Sequence, residues 1–201
     1  MHISLKKTLR AIDACLPDGT EPSTERLHRM YDLTLRLSSQ MLGVIQDREA
    51  FDASAQQEPL ARRQTSAVNA GGNVTLTIHE PLPDIKRLTE AMEEHWKAMI
   101  HAAIDQAAQQ EPLPWFEKAM VEIEIVTPRG TDNAQVWDTS NRAIQVILNN
   151  LKGVLSRDDD MEHMAFSVVG LWGEKGVTSL RISDFDKSRQ IRAIRFLGKK
   201  S

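Results

Sequence analysis

Apolar positions along the chain change period several times, and each change marks an element. From Ile3 to Leu16, the residues Leu5, Leu9, Ile12 and Leu16 recur at helical spacing, and Pro17-Asp18-Gly19 ends the run. Pro22-Ser23-Thr24-Glu25 reads as a second helix start, and Leu27, Met30, Tyr31, Leu37, Met41 and Ile45 carry an apolar stripe onward. Such a helical hairpin, residues 1–51, is too small to bury its own stripe. It is expected to dock on the rest of the chain or on a second copy. From Asp52 to Gly72 the sequence turns to Ala, Gln, Ser, Arg and Gly with little period, which predicts a linker or loosely held segment.

Regular pattern resumes at Asn73. Val74, Leu76 and Ile78 alternate with Thr75 and Thr77, a half-buried strand ended by Pro81 and Pro83. A long helix is predicted from about Asp84 to Gln109, with Ile85, Leu88, Met92, Trp96, Met99 and Ala103 as its stripe. His95 and His101 point to different faces of that helix and read as surface or boundary residues, not as a metal pair. Val121, Ile123 and Ile125 alternate with Glu122 and Glu124 in a second strand. Asn141–Lys152 is predicted as a helix, with Ile144, Ile147, Leu148 and Leu151 on one face and Gly153 placed to end it. Ala165–Trp172, the turn Gly173-Glu174-Lys175-Gly176, and Val177–Ile182 read as a closing strand hairpin. The order of elements predicts an α+β fold with helices packed on a mainly antiparallel sheet.

Composition narrows the function classes. The net charge of −3 does not mark a nucleic-acid binder, but the charge is unevenly placed. Lys187, Arg189, Arg192, Arg195, Lys199 and Lys200 follow one another with no acid between them. This basic C-terminal tail, residues 187–201, reads either as a solvated terminus or as a strip that lies along phosphates. No apolar run is long enough for a bilayer span. Cys15 is the single cysteine, so no internal disulfide forms, which fits a reducing cytoplasm; its spacing to Ile12 makes it core filler.

The acids with chemical potential are Asp138, just before the Asn141–Lys152 helix, and Asp158-Asp159-Asp160, just after its return. Twelve helical residues rise roughly 18 Å. Six nearly extended residues, Gly153 to Asp158, cover about 20 Å. The chain is therefore long enough to run back beside the helix and bring the acids to Asp138 at the helix mouth. Carboxylates gathered there would bridge a hard divalent cation, which phosphodiester hydrolysis uses to activate water and neutralise phosphorus-bound charge. The competing reading is structural: Asp138-Thr139-Ser140 also suits an N-cap, and successive aspartates also make a solvated turn.

An ordered set of elements resembles the RusA-type Holliday-junction resolvases. Val136-Trp137-Asp138-Thr139-Ser140-Asn141 is similar to the family's Asp-x-Asp-Asn element at a helix mouth. Leu148 to Asp159, with Gly153 in the return, is similar to its closing aspartate pair. The flanks agree: a short strand ending in Pro81/Pro83, a long helix, a strand ending Thr127-Pro128-Arg129, and a terminal hairpin finishing in Arg181-Ile182-Ser183. The resemblance covers residues 73–186.

It implies a metal-dependent, structure-selective endonuclease on branched DNA, acting as a homodimer. Asp138, Asp158 and Asp159 would hold Mg²⁺ or Mn²⁺, with Asn141 shaping the site and Arg157 near the scissile phosphate. Arg189, Arg192, Arg195, Lys199 and Lys200 would bind DNA. Two positions depart from the family: Ser140 replaces the second motif aspartate, and Ile144 stands where the family has a catalytic lysine. Arg142 is roughly 200° around the helix from that position and does not replace it. Weakened cleavage is the expectation, with a non-catalytic branched-DNA binder as the alternative. A reading without DNA, an assembly protein with a scaffold domain, differs from both by giving the basic tail no role.

Overall fold

The computed structural model describes residues 2–16, 21–51, 59–83, 88–128 and 143–188. Two compact units emerge, one of residues 1–57 with 89–95, the other of residues 58–88 with 96–201. Among the described residues no helix is long and apolar enough to cross a membrane.

The first unit is a helical hairpin, α1 (His2–Asp13) and α2 (Thr24–Phe51). Ser23 starts α2, its carbonyl accepting from the Leu27 amide at 3.0 Å. The buried positions of α1 and its end are Thr8 and Cys15, with Leu5 and Ile12 half-buried on the same side. Leu9 and Leu16, expected on the inner stripe, are exposed, as are Leu27, Tyr31 and Met41 of α2. The inward face is rotated from the expected one because polar bonds join the helices. Gln40 accepts from the Thr8 hydroxyl at 3.0 Å and donates to the Ser4 hydroxyl at 2.7 Å.

The second unit is built on a five-stranded mixed sheet of order β1-β2-β5-β3-β4. Its strands are β1 (Thr65–Ala70), β2 (Asn73–Ile78), β3 (Ala119–Pro128), β4 (Met164–Gly173) and β5 (Val177–Asp184). The helices are α3 (Leu60–Arg63), α4 (Glu90–Ala108) and α5 (Ile144–Leu151). The first residues of α4, up to His95, belong to the first unit and the rest to the second. An α+β class is what the order of elements predicted, and it is what forms.

Strand alternation decides which side of the sheet is dry. Val74, Leu76 and Ile78 of β2, Val121, Ile123 and Ile125 of β3, and Leu180 and Ile182 of β5 are all at most 2 % exposed. They form one cluster with Trp96, Met99, Ile100 and Ala103 of α4 and Ile147, Leu148 and Leu151 of α5. The opposite face carries Thr75, Arg181 and Glu122 side by side across three strands.

Four expectations are corrected. The segment expected to run as linker up to Gly72 supplies α3 and β1, and β1 pairs with β2 from Thr65↔Ile78 to Ala70↔Asn73. The hairpin turns at Gly71-Gly72, with φ of 60° and 73°, a conformation that glycine adopts freely. Secondly, α4 begins at Glu90, later than Asp84 (residues 84–87 lie outside the described set). The reason is its cap: the Thr89 hydroxyl accepts from the Met92 amide at 3.3 Å. Thirdly, His95 is buried, 3 % exposed, one position from Trp96 on a face wider than the predicted stripe.

Fourthly, β4 and β5 do not pair as a hairpin. β3 lies between them, parallel to β4 and antiparallel to β5. β5, with Thr178, Leu180 and Ile182 fully buried, takes an inner position, and the half-exposed β4 becomes the edge. The glycines of the connecting turn answer to packing. A Cβ on Gly173 would collide with Val126 Cγ1, and one on Gly176 would lie 2.5 Å from Pro81 Cδ.

Candidate functional site

A parallel β3–β4 pair requires a crossover, and α5 is the helix within it among the described residues. Its inward residues Val146, Ile147, Leu148 and Leu151 anchor it to the core. Gly153, with φ of 74°, ends it as expected. Beyond Gly153 the chain does not take the near-extended return that was expected. The amides of Val154 and Leu155 both donate to the Leu151 carbonyl, at 3.2 and 3.0 Å, and Gly153 N donates to Ser156 O at 2.7 Å. The chain therefore doubles back at the C-terminal end of α5. Burial drives this: Leu155 is fully buried and its carbonyl accepts from the Phe116 amide at 2.8 Å. Ser156, also fully buried, donates from its hydroxyl to His163 O at 2.9 Å.

This tight turn delivers Asp158 and Asp159 to Lys152, the residue after the last helical position. Lys152 Nζ lies 2.6 Å from Asp158 Oδ1 and 3.3 Å from Asp159 Oδ1. Both carboxylates thus converge on one cation. The Asp159 amide adds a bond to Asp158 Oδ1 at 2.9 Å. The Lys152 ammonium and that amide together hold the Asp158 carboxyl down to about 2. In turn the Asp158 and Asp159 carboxylates raise the Lys152 ammonium above its ordinary value. The helix end explains the need for a cation there. The aligned peptide dipoles present partial negative charge there, which disfavours carboxylates unless a lysine stands between.

Asp160 is a different kind of residue. Its Oδ1 accepts from the amides of Glu162 and His163, at 2.9 and 3.0 Å, and lies 2.8 Å from His163 Nδ1. The His163 ring and these amides hold the Asp160 carboxyl below its usual range. Its geometry is that of a turn former, organising the approach to β4.

Of the predicted site residues, Asp158 and Asp159 are brought together, and Arg157 beside them is exposed. Asp138 and Asn141 lie outside the described residues, as do Arg189, Arg192, Arg195, Lys199 and Lys200. Lys187 is exposed. Among the described residues no group of three His, Cys, Asp or Glu side chains could hold a metal ion. The pair Asp158/Asp159 offers two carboxylates, which suffices for Mg²⁺ when waters and phosphate oxygens complete its shell. Lys152 is the residue that sequence reasoning missed. Its signal was a lysine at a helix end, with a glycine turn and two acids after it within chain reach.

Set against protein-family models and against curated proteins, the chain matches none of them.

Proposed function

We propose that this chain is a metal-dependent, structure-selective endonuclease for branched DNA such as four-way junctions, built on the lines of the RusA-type resolvases. One observation carries the reading: Asp158 and Asp159 are turned onto the same cation, at 2.6 and 3.3 Å, in the turn that enters β4 from the crossover. Two adjacent carboxylates that share an ammonium ion form a site that a divalent ion could take over once the lysine swings toward a phosphate.

In this reading Asp158, Asp159 and Asp138 hold Mg²⁺ or Mn²⁺. Bound there, the ion would supply a nucleophilic water and neutralise charge at phosphorus. Asp138 lies outside the described residues and enters this reading through the resemblance alone. Asn141 shapes the site. Arg157 and Lys152 meet the phosphate as cations, and Lys152 stands closer to the pair. Arg189, Arg192, Arg195, Lys199 and Lys200 follow the DNA backbone. The protein works as a homodimer, matching the two symmetric strands of a junction, in the cytoplasm.

A second reading, a branched-DNA binder without cleavage, is favoured by the Lys152 contact itself. A lysine already neutralising the acid pair competes with a metal, and Ser140 and Ile144 remove a ligand and a cation from the resembling motif. Incubating the purified protein with a labelled four-way junction, with and without Mn²⁺, separates the readings. The nuclease reading expects weak cleavage favoured by Mn²⁺, abolished by Asp159→Asn with junction binding retained. Binding without cleavage at any metal concentration selects the second reading. No preference for branched over linear duplex at any salt overturns both.

A further inference from the structure

Residues 115–119 run beside residues 155–163. The Phe116 amide donates to Leu155 O, Lys118 Nζ to Met161 O and the Ala119 amide to His163 O, each at 2.8 Å. Phe116 and Ala119 are buried, and Trp115 and Glu117 are turned outward. Trp115 is 54 % exposed, and Met161 in the facing segment is 84 % exposed. The charges around them are mainly acidic. Glu117, Asp160 and Glu162 are exposed, and Asp158 and Asp159 are half-buried. Lys152 answers Asp158 and Asp159, and His163 answers Asp160. Among the described residues neither Glu117 nor Glu162 forms an ion pair. Two large apolar side chains set among acids make a surface for a segment that is both basic and apolar.

The residues that follow β5 supply such a segment at the same place. The Phe185 amide donates to Lys118 O at 3.0 Å, and Lys118 Nζ stands 4.8 Å from the Phe185 ring centroid. The chain therefore leaves β5 against the lysine that also holds Met161. Residues 189–201, outside the described set, contain five basic residues and no acid, interleaved with Ile191, Ile194, Phe196 and Leu197. We infer that this tail seats on the Trp115–Met161 surface of its own chain. Trp115 is three residues from Lys118, at most about 11 Å away, and the thirteen residues of the tail reach about 40 Å when extended. Basic side chains meet Glu117 and Glu162, and an arginine is able to stack on the exposed indole. The tether holds the tail at a local concentration on the order of millimolar, so weak contacts suffice. That is why the occupant is this tail and not a separate protein. The same basic residues cannot lie on this surface and along DNA phosphates at once, so the seat acts as a brake that DNA releases. This consequence rests on the DNA reading; the seat itself does not.

Disulfide trapping in the full chain, in a Cys15→Ser background, tests the seat. Met161→Cys with Phe196→Cys should close an intramolecular disulfide roughly tenfold faster than Val68→Cys with Phe196→Cys. Val68 is 59 % exposed on β1, two strands from β5, and so is open to solvent and within the tail's reach. The advantage should fall severalfold between about 0.1 and 1 M salt, as the Debye length shrinks from about 10 to about 3 Å. Adding Glu117→Lys and Glu162→Lys should remove it, with the circular dichroism spectrum unchanged. Equal rates at the two positions, an advantage that neither salt nor the lysine changes reduce, or disulfides formed only between chains would each overturn the inference. None of these measurements contains DNA, so their failure leaves the nuclease reading to its own cleavage test.

Discussion

The ammonium of Lys152 lies 2.6 Å from the carboxylate of Asp158, across the glycine turn that ends α5. That contact and the Asp159 amide draw the Asp158 carboxyl from 3.8 to about 2. A carboxyl whose folded value is depressed adds stability that is complete above its unfolded value and lost as pH falls through the folded one. The contribution of this pair is therefore present above about pH 4 and disappears toward pH 2. Replacing Lys152→Met should return the Asp158 titration toward 3.8, read by carbon-13 NMR of the side-chain carboxyl. A midpoint still near 2 in the variant would show that the backbone amide, not the lysine, is the dominant cause.

Asn69 should be costly to lose. Its side chain, 4 % exposed, donates to the carbonyls of Ala107, Glu111 and Pro112 at 3.3, 2.7 and 3.3 Å, where α4 ends. Asn69→Ala leaves these acceptors without the donor, a loss of about 1–3 kcal/mol. Urea denaturation should show the midpoint falling with an unchanged slope.

Gly176 and Gly72 predict losses of different origin. At Gly176 an added Cβ meets the rigid Pro81 ring at 2.5 and 2.9 Å, so Gly176→Ala should cost about 1–3 kcal/mol through overpacking. At Gly72 nothing lies within 4 Å of an added Cβ, and only the φ of 73° opposes it. Gly72→Ala should cost about 1 kcal/mol, and Gly72→Asn, which tolerates that conformation better, less. Melting temperatures of the three variants give the ranking directly.

The departures at Ser140 and Ile144 bear on rate. Ile144 is the first residue of α5 and only partly buried, so a lysine there has room to extend its amine to solvent. Under the nuclease proposal, the double change Ser140→Asp with Ile144→Lys should raise junction cleavage by about 10²–10³. Adding Asp159→Asn should remove the gain. An unchanged rate in the double variant, with junction binding intact, would place the defect elsewhere.

Local pattern determined much of this protein. The alternation of Val74, Leu76 and Ile78, and of Val121, Ile123 and Ile125, identified β2 and β3 and their dry faces, because a strand's period of two exposes burial directly. The spacing of Ile147, Leu148 and Leu151, with Gly153 after them, likewise identified α5 and its end. The Gly71-Gly72 turn is legible as a pair of glycines, but β1 before it carries little apolar alternation to mark it as a strand.

Tertiary structure decided what lies beside what. Gly173 to Gly176 has the look of a hairpin turn, yet β3 separates β4 from β5, since pairing follows the burial demands of the whole sheet. The acid pair was found in the sequence, but its partner was not. Leu155 and Ser156 had to be buried against Phe116 and His163, and that requirement curls the chain onto Lys152 where an extended return had been expected. A reach calculation bounds where a segment is able to go. Which of the reachable places it occupies depends on side chains distant in sequence, and only the packed core selects it.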